Sequence, residues 1–373
     1  MNSHTRVLSH RALNRAMLQR QMLLTRQSRT AIDAIRHLVG MQSQAPNAPY
    51  VGLWSRLAHF AHEELAGLIT SRQAVRIPCL RGTIHLVTAD DAARLRPLTQ
   101  IVLTRAIFGQ AFGKNLAGLD LEPVLAQARA LAAQRPRTRA EMARLLAERW
   151  PGWDATSLGY AFTYLVPLIQ VPPRGVWGQT GPVAWSPAQD WLGRELDQAP
   201  APDEVMLRYL AAFGPATVAD VQTWSGLTKL REVADRLRPR LRTFADPAGA
   251  ELLDGPDAPL PDEDSEAPPR FLPEYDNVLF SYADRNRVNP GKNEIPLAPG
   301  NGGRCGTVLV DGTFQATWQI TVASDAATLL IKPFARLPKA DQEALTDEGA
   351  RLLAFAADTA ASHDIRFELS DPR

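Results

Sequence analysis

The chain has 373 residues, of which 45% are hydrophobic and 22% are charged, with a mean hydropathy of −0.19 and a net charge of only +1. This composition is typical of a soluble globular protein with two or more domains, and no apolar run approaches the roughly 18 residues of a membrane span, so we expect a cytoplasmic protein. With only two cysteines, Cys79 and Cys305, and no helical pair of histidines, a disulfide framework is excluded and a metal-free protein is expected.

The charge is unevenly distributed along the chain. Residues 1–135 contain 17 Arg or Lys against 7 Asp or Glu, whereas the segment 246–266 is acidic. A basic N-terminal part of this kind predicts a positive face for phosphate groups. The alternative for any single arginine is an ordinary solvated helix face.

A threonine followed three residues later by an acid occurs at the start of three apolar-periodic segments. The pairs are Thr30 and Asp33, Thr138 and Glu141, and Thr217 and Asp220. Such a box caps the free backbone N–H groups at a helix start. In each case the predicted order is a helix, the capped helix, a third helix and a short hairpin. In the first unit the first helix, third helix and hairpin are Leu13–Leu24, Val51–Leu65 and Val75–Val87. In the second unit they are Pro123–Ala133, Thr156–Leu165 and Ile169–Trp185, and in the third unit they are Glu204–Phe213, Thr228–Leu237 and Leu241–Leu253.

That order, seen three times, is typical of winged helix-turn-helix units. A Pro- and acid-rich linker follows, and beyond it β-branched runs around Asp311-Gly312 predict a hairpin in a small mixed sheet with one helix. A glycine-rich stretch at 299–303 is expected to be a mobile surface loop. We therefore predict an α+β fold of three tandem winged helix-turn-helix units followed by a β-rich domain. The predicted bounds are 1–115, 116–200 and 201–256 for the three units, 257–270 for the linker and 271–373 for the C-terminal domain.

Gln42 and Gln44 flank Ser43 in the joint between the second and third predicted helices of the first unit. If this joint is extended, side chains two residues apart project to one side, so both amides would face one water or one polar ligand atom. The alternative is that they satisfy free carbonyls where the preceding helix ends at Gly40.

Several segments together carry a family resemblance. They are Gln42–Arg56, Arg81–Val87, Leu272–Asp276 with Ala283–Arg285, and Val310–Gly312. In combination they resemble the bacterial winged-helix DNA glycosylases of the AlkZ type, from about residue 8 to the C-terminal sheet. The resemblance implies base excision repair: excision of N7-alkylated purines, and unhooking of interstrand crosslinks made by DNA-alkylating natural products, as in antibiotic self-resistance.

The family's catalytic motif is glutamine, an aliphatic residue, then glutamine or aspartate, and it carries over to Gln42 and Gln44, with Ser43 as a departure. The resemblance implies that the amides position a water, because N7 alkylation already makes the purine a cationic leaving group. It also implies a basic surface for duplex DNA and a C-terminal hairpin in the minor groove. The residues assigned to DNA binding are Arg81, Arg285, Arg287, Asp311, Gly312, Thr313, Phe314 and Gln315. The residues assigned to the border of a lesion pocket are Asn47, Tyr50, Trp54 and His85.

For Tyr50, Trp54 and His85 the alternative is a packing or structural role. The resulting expectation is a monofunctional DNA glycosylase without metal or organic cofactor, a monomer that acts on double-stranded DNA containing alkylated purines in the bacterial cytoplasm, at the nucleoid. The alternatives are a non-catalytic winged-helix transcriptional regulator, which would prefer one DNA sequence, and a protein-interaction scaffold, which would not bind DNA.

Overall fold

The computed structural model describes residues 5–296 and 305–370, which fold into a mixed α+β structure. The loop predicted at 299–303 lies outside the described residues. The helices are α1 His10–Arg20, α2 Ala31–His37, α3 Ala48–Trp54, α4 His62–Thr70, α5 Ala89–Leu98, α6 Gln100–Phe108, α7 Ala111–Lys114, α8 Leu121–Gln134, α9 Arg139–Arg149, α10 Ala155–Leu165, α11 Ala188–Leu192, α12 Pro202–Phe213, α13 Val218–Ser225, α14 Leu230–Leu237, α15 Asn277–Phe280 and α16 Lys339–Ala356. The strands are β1 Met41–Gln42, β2 Ala74–Pro78, β3 Ile84–Thr88, β4 Arg137–Thr138, β5 Leu168–Gln170, β6 Ala184–Pro187, β7 Arg242–Ala245, β8 Glu251–Asp254, β9 Arg270–Leu272, β10 Gly306–Val310, β11 Thr313–Ala323, β12 Ala326–Pro333 and β13 Ser362–Phe367.

One order of elements occurs three times: helix, short strand, helix, helix and two further strands. The first repeat (residues 31–88) is α2-β1-α3-α4-β2-β3, and the second (121–187) is α8-β4-α9-α10-β5-β6. The third (202–254) has α12, α13, α14, β7 and β8, with a single bridge between Ala216 and Leu253 in place of the short strand. In each repeat the short element pairs with the last strand, and the last strand pairs with the first strand of the hairpin.

All three predicted capping boxes begin a helix. The Thr30 hydroxyl accepts from the Asp33 N–H, and the boxes at Thr138 and Thr217 are reciprocal, with the acid also accepting from the threonine N–H. In the first repeat, however, the capped helix is the first helix rather than the second, and α1 lies ahead of the repeat.

The predicted third helix of the first unit, residues 51–65, is in fact divided between α3 and α4. Between these two helices, Leu57 forms a short parallel β-bridge with Gln27. In this bridge the Gln27 N–H donates to the Arg56 carbonyl and the Ala58 N–H donates to the Gln27 carbonyl. Because this bridge takes up backbone groups that a helix would need, the chain cannot remain helical there.

The first two repeats share one six-stranded sheet in the order β1-β3-β2-β5-β6-β4, joined at a seam where Arg76 of β2 lies opposite Gln170 of β5. The C-terminal sheet has the order β13-β12-β11-β10-β9, antiparallel except for the β12–β13 pair. Its hairpin and helix confirm the prediction for this region. Strand β9 was missed because it is short and directly follows the Pro-rich linker.

Buried ion pairs hold the first repeat and its flanking segment against the C-terminal domain. Arg56 pairs with Asp276 through two N–O distances of 2.8 Å, and Arg26 pairs with Glu348 at 2.6 Å. Such contacts hold the first repeat, which contains the segment Gln42–Gln44 (the glutamine segment), against the C-terminal sheet. Among residues 5–296 and 305–370, no helix is long and apolar enough to cross a lipid bilayer, and no three His, Cys, Asp or Glu side chains are grouped as metal ligands.

Candidate functional site

The glutamine segment begins at a backbone position that requires glycine. Gly40 has φ +98°, and a Cβ there would lie 2.6 Å from a methyl group of Val87 on β3. The chain then runs extended along β3, with Gln42 opposite His85. Backbone N–H groups already occupy carbonyls at the end of α2, including that of Ile35, which accepts from Gly40 at 3.0 Å. The glutamines are therefore not caps of this helix.

Gln42 takes its orientation from Arg81. Its Oε1 accepts from the Arg81 guanidinium at 2.7 Å, and the same guanidinium donates to the carbonyl of Trp224, in the third repeat, at 2.7 Å. Burial lowers the pKa of Arg81 to about 10, so the group remains charged at neutral pH. Because the amide oxygen faces Arg81, the NH₂ group of Gln42 points away from Arg81, in the same amide plane. Arg81 was expected to contact DNA; it instead connects Gln42 to the third repeat inside the protein.

His85 supports this arrangement from β3. It is fully buried, with Nε2 3.4 Å from the Arg81 guanidinium and Nδ1 3.1 Å from the Thr83 carbonyl. Burial, and then the charge of Arg81, lower the pKa of His85 to about 3. A neutral ring that donates from Nδ1 and accepts at Nε2 satisfies both contacts. His85 is thus a structural residue rather than part of an open lesion pocket.

Ser43 is held by a second arginine. Its Oγ accepts from Arg76 Nε at 3.0 Å, and its carbonyl accepts from Arg76 Nη2 at 2.7 Å. Arg76 is only 2% exposed, and burial lowers its pKa to about 9. The serine therefore replaces apolar packing at the middle of the motif with a buried polar contact. Sequence reasoning did not select Arg76; the available signal was an arginine in the middle of the otherwise apolar strand Ala74–Pro78.

Gln44 and Gln42 line different spaces. Gln44 Oε1 accepts from the Ile84 N–H at 3.3 Å, and the residue lines a half-open space of about 910 Å³ between the first and second repeats, which we name the inter-repeat cleft. Gln42 lines a much smaller cavity of about 10 Å³ beside Asp276 and Asn277. The expectation that both amides face one common space is therefore not met in this arrangement.

The inter-repeat cleft is basic and aromatic. Its lining includes three arginines and, among the described residues, no Asp or Glu. The arginines are Arg76, Arg139 and Arg174, and the aromatic residues are Tyr160, Tyr164 and Trp185. The Arg139 guanidinium lies 4.1 Å from the centre of the Tyr160 ring, which also stacks on Phe112 at 3.7 Å. Such a surface suits an anionic, ring-containing molecule such as DNA.

The other residues assigned to a lesion pocket are mostly internal. Tyr50 is fully buried, with its hydroxyl bonded to the Gly175 carbonyl and the Trp177 N–H at 3.0 Å each. Trp54 lies under Arg26, whose guanidinium carbon is 4.5 Å from the ring centre, and packs on an aromatic residue of α16. Both are packing residues. Asn47, by contrast, is exposed at the start of α3.

Arg285 and Arg287 differ sharply in exposure. Arg287 is 6% exposed, donates to the Pro215 carbonyl at 2.8 Å and stacks on Tyr282 at 4.1 Å. It is therefore a structural residue, and the expectation that it contacts DNA is wrong. Arg285 is exposed and free to meet a DNA phosphate.

The predicted hairpin at 311–315 has the expected two-residue turn, but its tip packs against the protein, and only the Asp311 side chain there is exposed, at 55%. Asp311 and Gly312 both have positive φ, 45° and 76°. The tip packs on α1, where Asp311 forms ion pairs with Arg11 and Arg15 and the Gly312 carbonyl accepts from Asn14 at 2.8 Å. Farther along β11, Phe314 is fully buried and Gln315 donates to the Thr313 hydroxyl at 2.9 Å.

The assignment of this hairpin to the minor groove is corrected, since its tip packs on α1 and its exposed side chain, Asp311, is an acid paired with Arg11 and Arg15. The next hairpin of the same sheet, β11–β12, extends away from the protein, and Val322 near its tip is 60% exposed.

The family is settled by comparison with known proteins. A family model for AlkZ-like DNA glycosylases matches residues 35–355. The chain belongs to the AlkZ-like DNA glycosylase family. It is accordingly a DNA glycosylase, a hydrolase of N-glycosyl bonds that acts in DNA repair, as predicted, and a non-catalytic regulator is not favoured.

A curated relative and a solved structure, both from Streptomyces sahachiroi, are similar to this chain over nearly its full length. An interstrand DNA cross-link repair glycosylase is 22% identical over 365 residues, which are 90% of this chain and 93% of the relative. The solved structure of the DNA glycosylase AlkZ superposes with a TM-score of 0.74 at 20% identity, covering 97% of this chain and all of that one. The shared fold places this chain's glutamine segment in an AlkZ-like framework.

Proposed function

We propose that this protein hydrolyses the N-glycosidic bond of N7-alkylated purines in duplex DNA, including bulky natural-product adducts and interstrand crosslinks, in base excision repair or antibiotic self-resistance. The observation that carries the proposal is the position of Gln44, on the wall of a cleft that three arginines line. The printed activity of the Streptomyces sahachiroi relative, interstrand cross-link repair, supports the crosslink part of the proposal.

The proposed reaction requires little acid catalysis from the protein. An N7-alkylated purine is already cationic, so the departing base needs no strong acid, and positioning of the attacking water becomes the main contribution. Gln44 Oε1 accepts one backbone N–H, which leaves its second lone pair for a water. Gln42 lines a separate small cavity in this arrangement, so we propose that its NH₂ group, which points away from Arg81, joins the site as a donor when DNA binds.

We also propose that the three repeats are winged helix-turn-helix units with the bounds 1–115, 116–200 and 201–256. All three units together bind duplex DNA, and the protein acts as a monomer. The threefold recurrence of element order and strand pairing supports this assignment. The exposed β11–β12 hairpin and Arg285 are the proposed DNA contacts of the C-terminal domain.

The test is base release from duplex DNA carrying N7-methylguanine, and from a crosslinked duplex, by the wild type, Gln42→Ala, Gln44→Ala and the double variant. Loss of a positioned catalytic amide lowers the rate constant by about 10²-fold. Affinity for undamaged duplex should stay within about twofold, since an uncharged amide neutralises no phosphate charge. Full activity in the double variant would contradict the proposed role of the motif.

A further inference from the structure

The floor of the inter-repeat cleft contains two polar atoms without partners. Arg76 Nη1 and Gln170 Oε1 are buried and have no hydrogen-bond partner among the described residues. The two residues face each other across the β2–β5 seam, are 2% and 8% exposed, and both line the cleft. An unpaired buried polar atom is destabilising, so the open donor of Arg76 and the open acceptor of Gln170 both favour a polar partner from a ligand.

The charge of Arg76 is also uncompensated. Two arginines of comparable burial, Arg20 and Arg56, each have an aspartate at 2.6–2.8 Å. No Asp or Glu within residues 5–296 and 305–370 pairs with Arg76, and Arg174 adds a second positive charge nearby. A buried guanidinium without a carboxylate favours a ligand rich in acceptor oxygens.

The size and walls of the cleft indicate what else the ligand contains. A volume of about 910 Å³ is far larger than a methyl group and within the range of sites for small organic molecules. Among the aromatic residues of the lining, Trp185 is only 5% exposed and Tyr160 already contacts Phe112 and Arg139. The ring available to a ligand is that of Tyr164, which is partly exposed. Planar rings stack on such side chains.

We propose that the inter-repeat cleft binds the group attached to the alkylated base, and that it selects adducts with a planar ring system bearing carbonyl oxygens. In this arrangement Arg76 donates to an adduct oxygen, Gln170 supplies the neighbouring polar contact and Tyr164 stacks on the ring. The inference rests on the proposed function and specifies its substrate class. Oxygen acceptors are also present on DNA phosphates, and the experiment separates the two sources.

The test uses Ala143→Phe, which fills the cleft from α9, and Gln170→Leu, which removes the polar contact while keeping the shape. The matched control is Arg144→Phe, on the exposed face of the same helix. Each protein is measured for base release and for dissociation constant on three duplexes: one with the carbonyl-bearing aflatoxin B1 N7-guanine adduct, one with N7-methylguanine, and one undamaged.

For Ala143→Phe we expect kcat/KM for the aflatoxin adduct to fall about tenfold or more relative to that for N7-methylguanine, since steric exclusion from a pocket discriminates by about 10–200-fold. Gln170→Leu should lower the same ratio about threefold or more, with the larger part in KM. Preferential binding of the adduct duplex over undamaged duplex should fall in parallel, and Arg144→Phe should leave both ratios unchanged.

Equal losses on both adducts, accompanied by weaker binding of undamaged duplex, would overturn the proposal and assign the cleft to a DNA phosphate. Unchanged ratios in both variants, in a protein that releases N7-methylguanine, would overturn it while the proposed function stands. Conversely, a wild type that releases neither base but binds the adduct duplex preferentially, with the preference lost in Ala143→Phe, would retain the cleft assignment and refute the proposed reaction.

Discussion

At the scale of single residues, Gln42 depends on a charged donor for its orientation. A free carboxamide can rotate by half a turn at little cost, which exchanges its oxygen and its NH₂ group. The 2.7 Å bond from Arg81 removes that freedom, because a guanidinium can only donate. We therefore propose that Arg81 is a positioning residue, whose effect on the reaction should pass through Gln42.

A double-mutant cycle tests this dependence. Arg81→Ala should lower N7-methylguanine release about 10-fold or more in the wild-type background, and much less in Gln42→Ala, because coupled residues are not additive. Arg96→Ala is the control, since Arg96 is also buried, lowered in pKa to about 10, and bonded to the Val166 carbonyl away from the motif. Additive effects of Arg81→Ala and Gln42→Ala would show that Arg81 is only structural.

The low pKa of His85 makes a second residue-scale prediction. In the unfolded chain this histidine takes up a proton near pH 6.5, whereas in the folded protein it remains neutral down to about pH 3. The unfolded state therefore binds more protons in this window, and the free energy of unfolding should fall as the pH is lowered from about 6.5 towards 3.

Urea unfolding at several pH values, for the wild type and His85→Gln, measures this contribution. The variant should lose part of the pH dependence between pH 4 and 6.5. An unchanged slope would mean that His85 titrates normally in the folded protein. Base release, in contrast, should show no inflection from His85 between pH 6 and 8.

At the scale of elements, the helix starts are local and the sequence predicts them. Thr138→Ala should destabilise the protein by about 1 kcal/mol, the usual value of an N-cap hydroxyl, because the hydroxyl accepts from the Glu141 N–H. Thr70→Ala is the control, since that hydroxyl bonds only to carbonyls within its own helix. The measurement is denaturant unfolding, and equal effects of the two substitutions would contradict the prediction.

The exposed β11–β12 hairpin makes an element-scale prediction about DNA. Val322→Asp places a negative charge at the proposed DNA contact and should weaken duplex binding about tenfold at low salt, with an unchanged melting temperature. Leu369→Asp, at a residue of similar exposure, is the control and should have a much smaller effect. Equal effects of the two substitutions would remove the hairpin from the DNA surface.

What the sequence could not predict depends on contacts between distant segments. The capping boxes and the Asp311-Gly312 turn are fixed within a few residues, and they were predicted. The partners of Arg81 and Arg287 are the Trp224 and Pro215 carbonyls, on segments of the third repeat, and no local pattern reveals them. The covering of the 311–315 hairpin by α1 brings together residues about 300 positions apart. Surface and interior arginines look alike in sequence.

At the scale of the whole molecule, the number of basic residues in the segment 1–135 is larger than the number that contribute positive charge to the surface. Five arginines of this segment are each 3% exposed or less, so their charges lie inside the protein. They are Arg15, Arg20, Arg56, Arg76 and Arg96. The surface charge for DNA must therefore come from fewer residues than the count suggests.

Salt titration identifies them. Arg285 is exposed and is a proposed DNA contact, so Arg285→Ala should reduce the slope of log Kd against log salt by about 0.9, the value for one phosphate contact. Arg139→Ala, in the cleft proposed for the adduct, should change this slope much less. Arg144→Ala is the control, since Arg144 pairs with Glu148 on the exposed face of α9. A slope unchanged by all three would place the DNA elsewhere.

The shared sheet of the first two repeats has a consequence for how new substrates can arise. Two copies of one unit lie side by side with mirrored strand order, β1-β3-β2 against β5-β6-β4, and only one copy carries the glutamines. The corresponding short strand of the other copy, at Thr138, lines the same cleft. If the cleft and the glutamines act as proposed, substitutions in this second unit should change which lesions are accepted while the proposed catalytic residues remain unchanged.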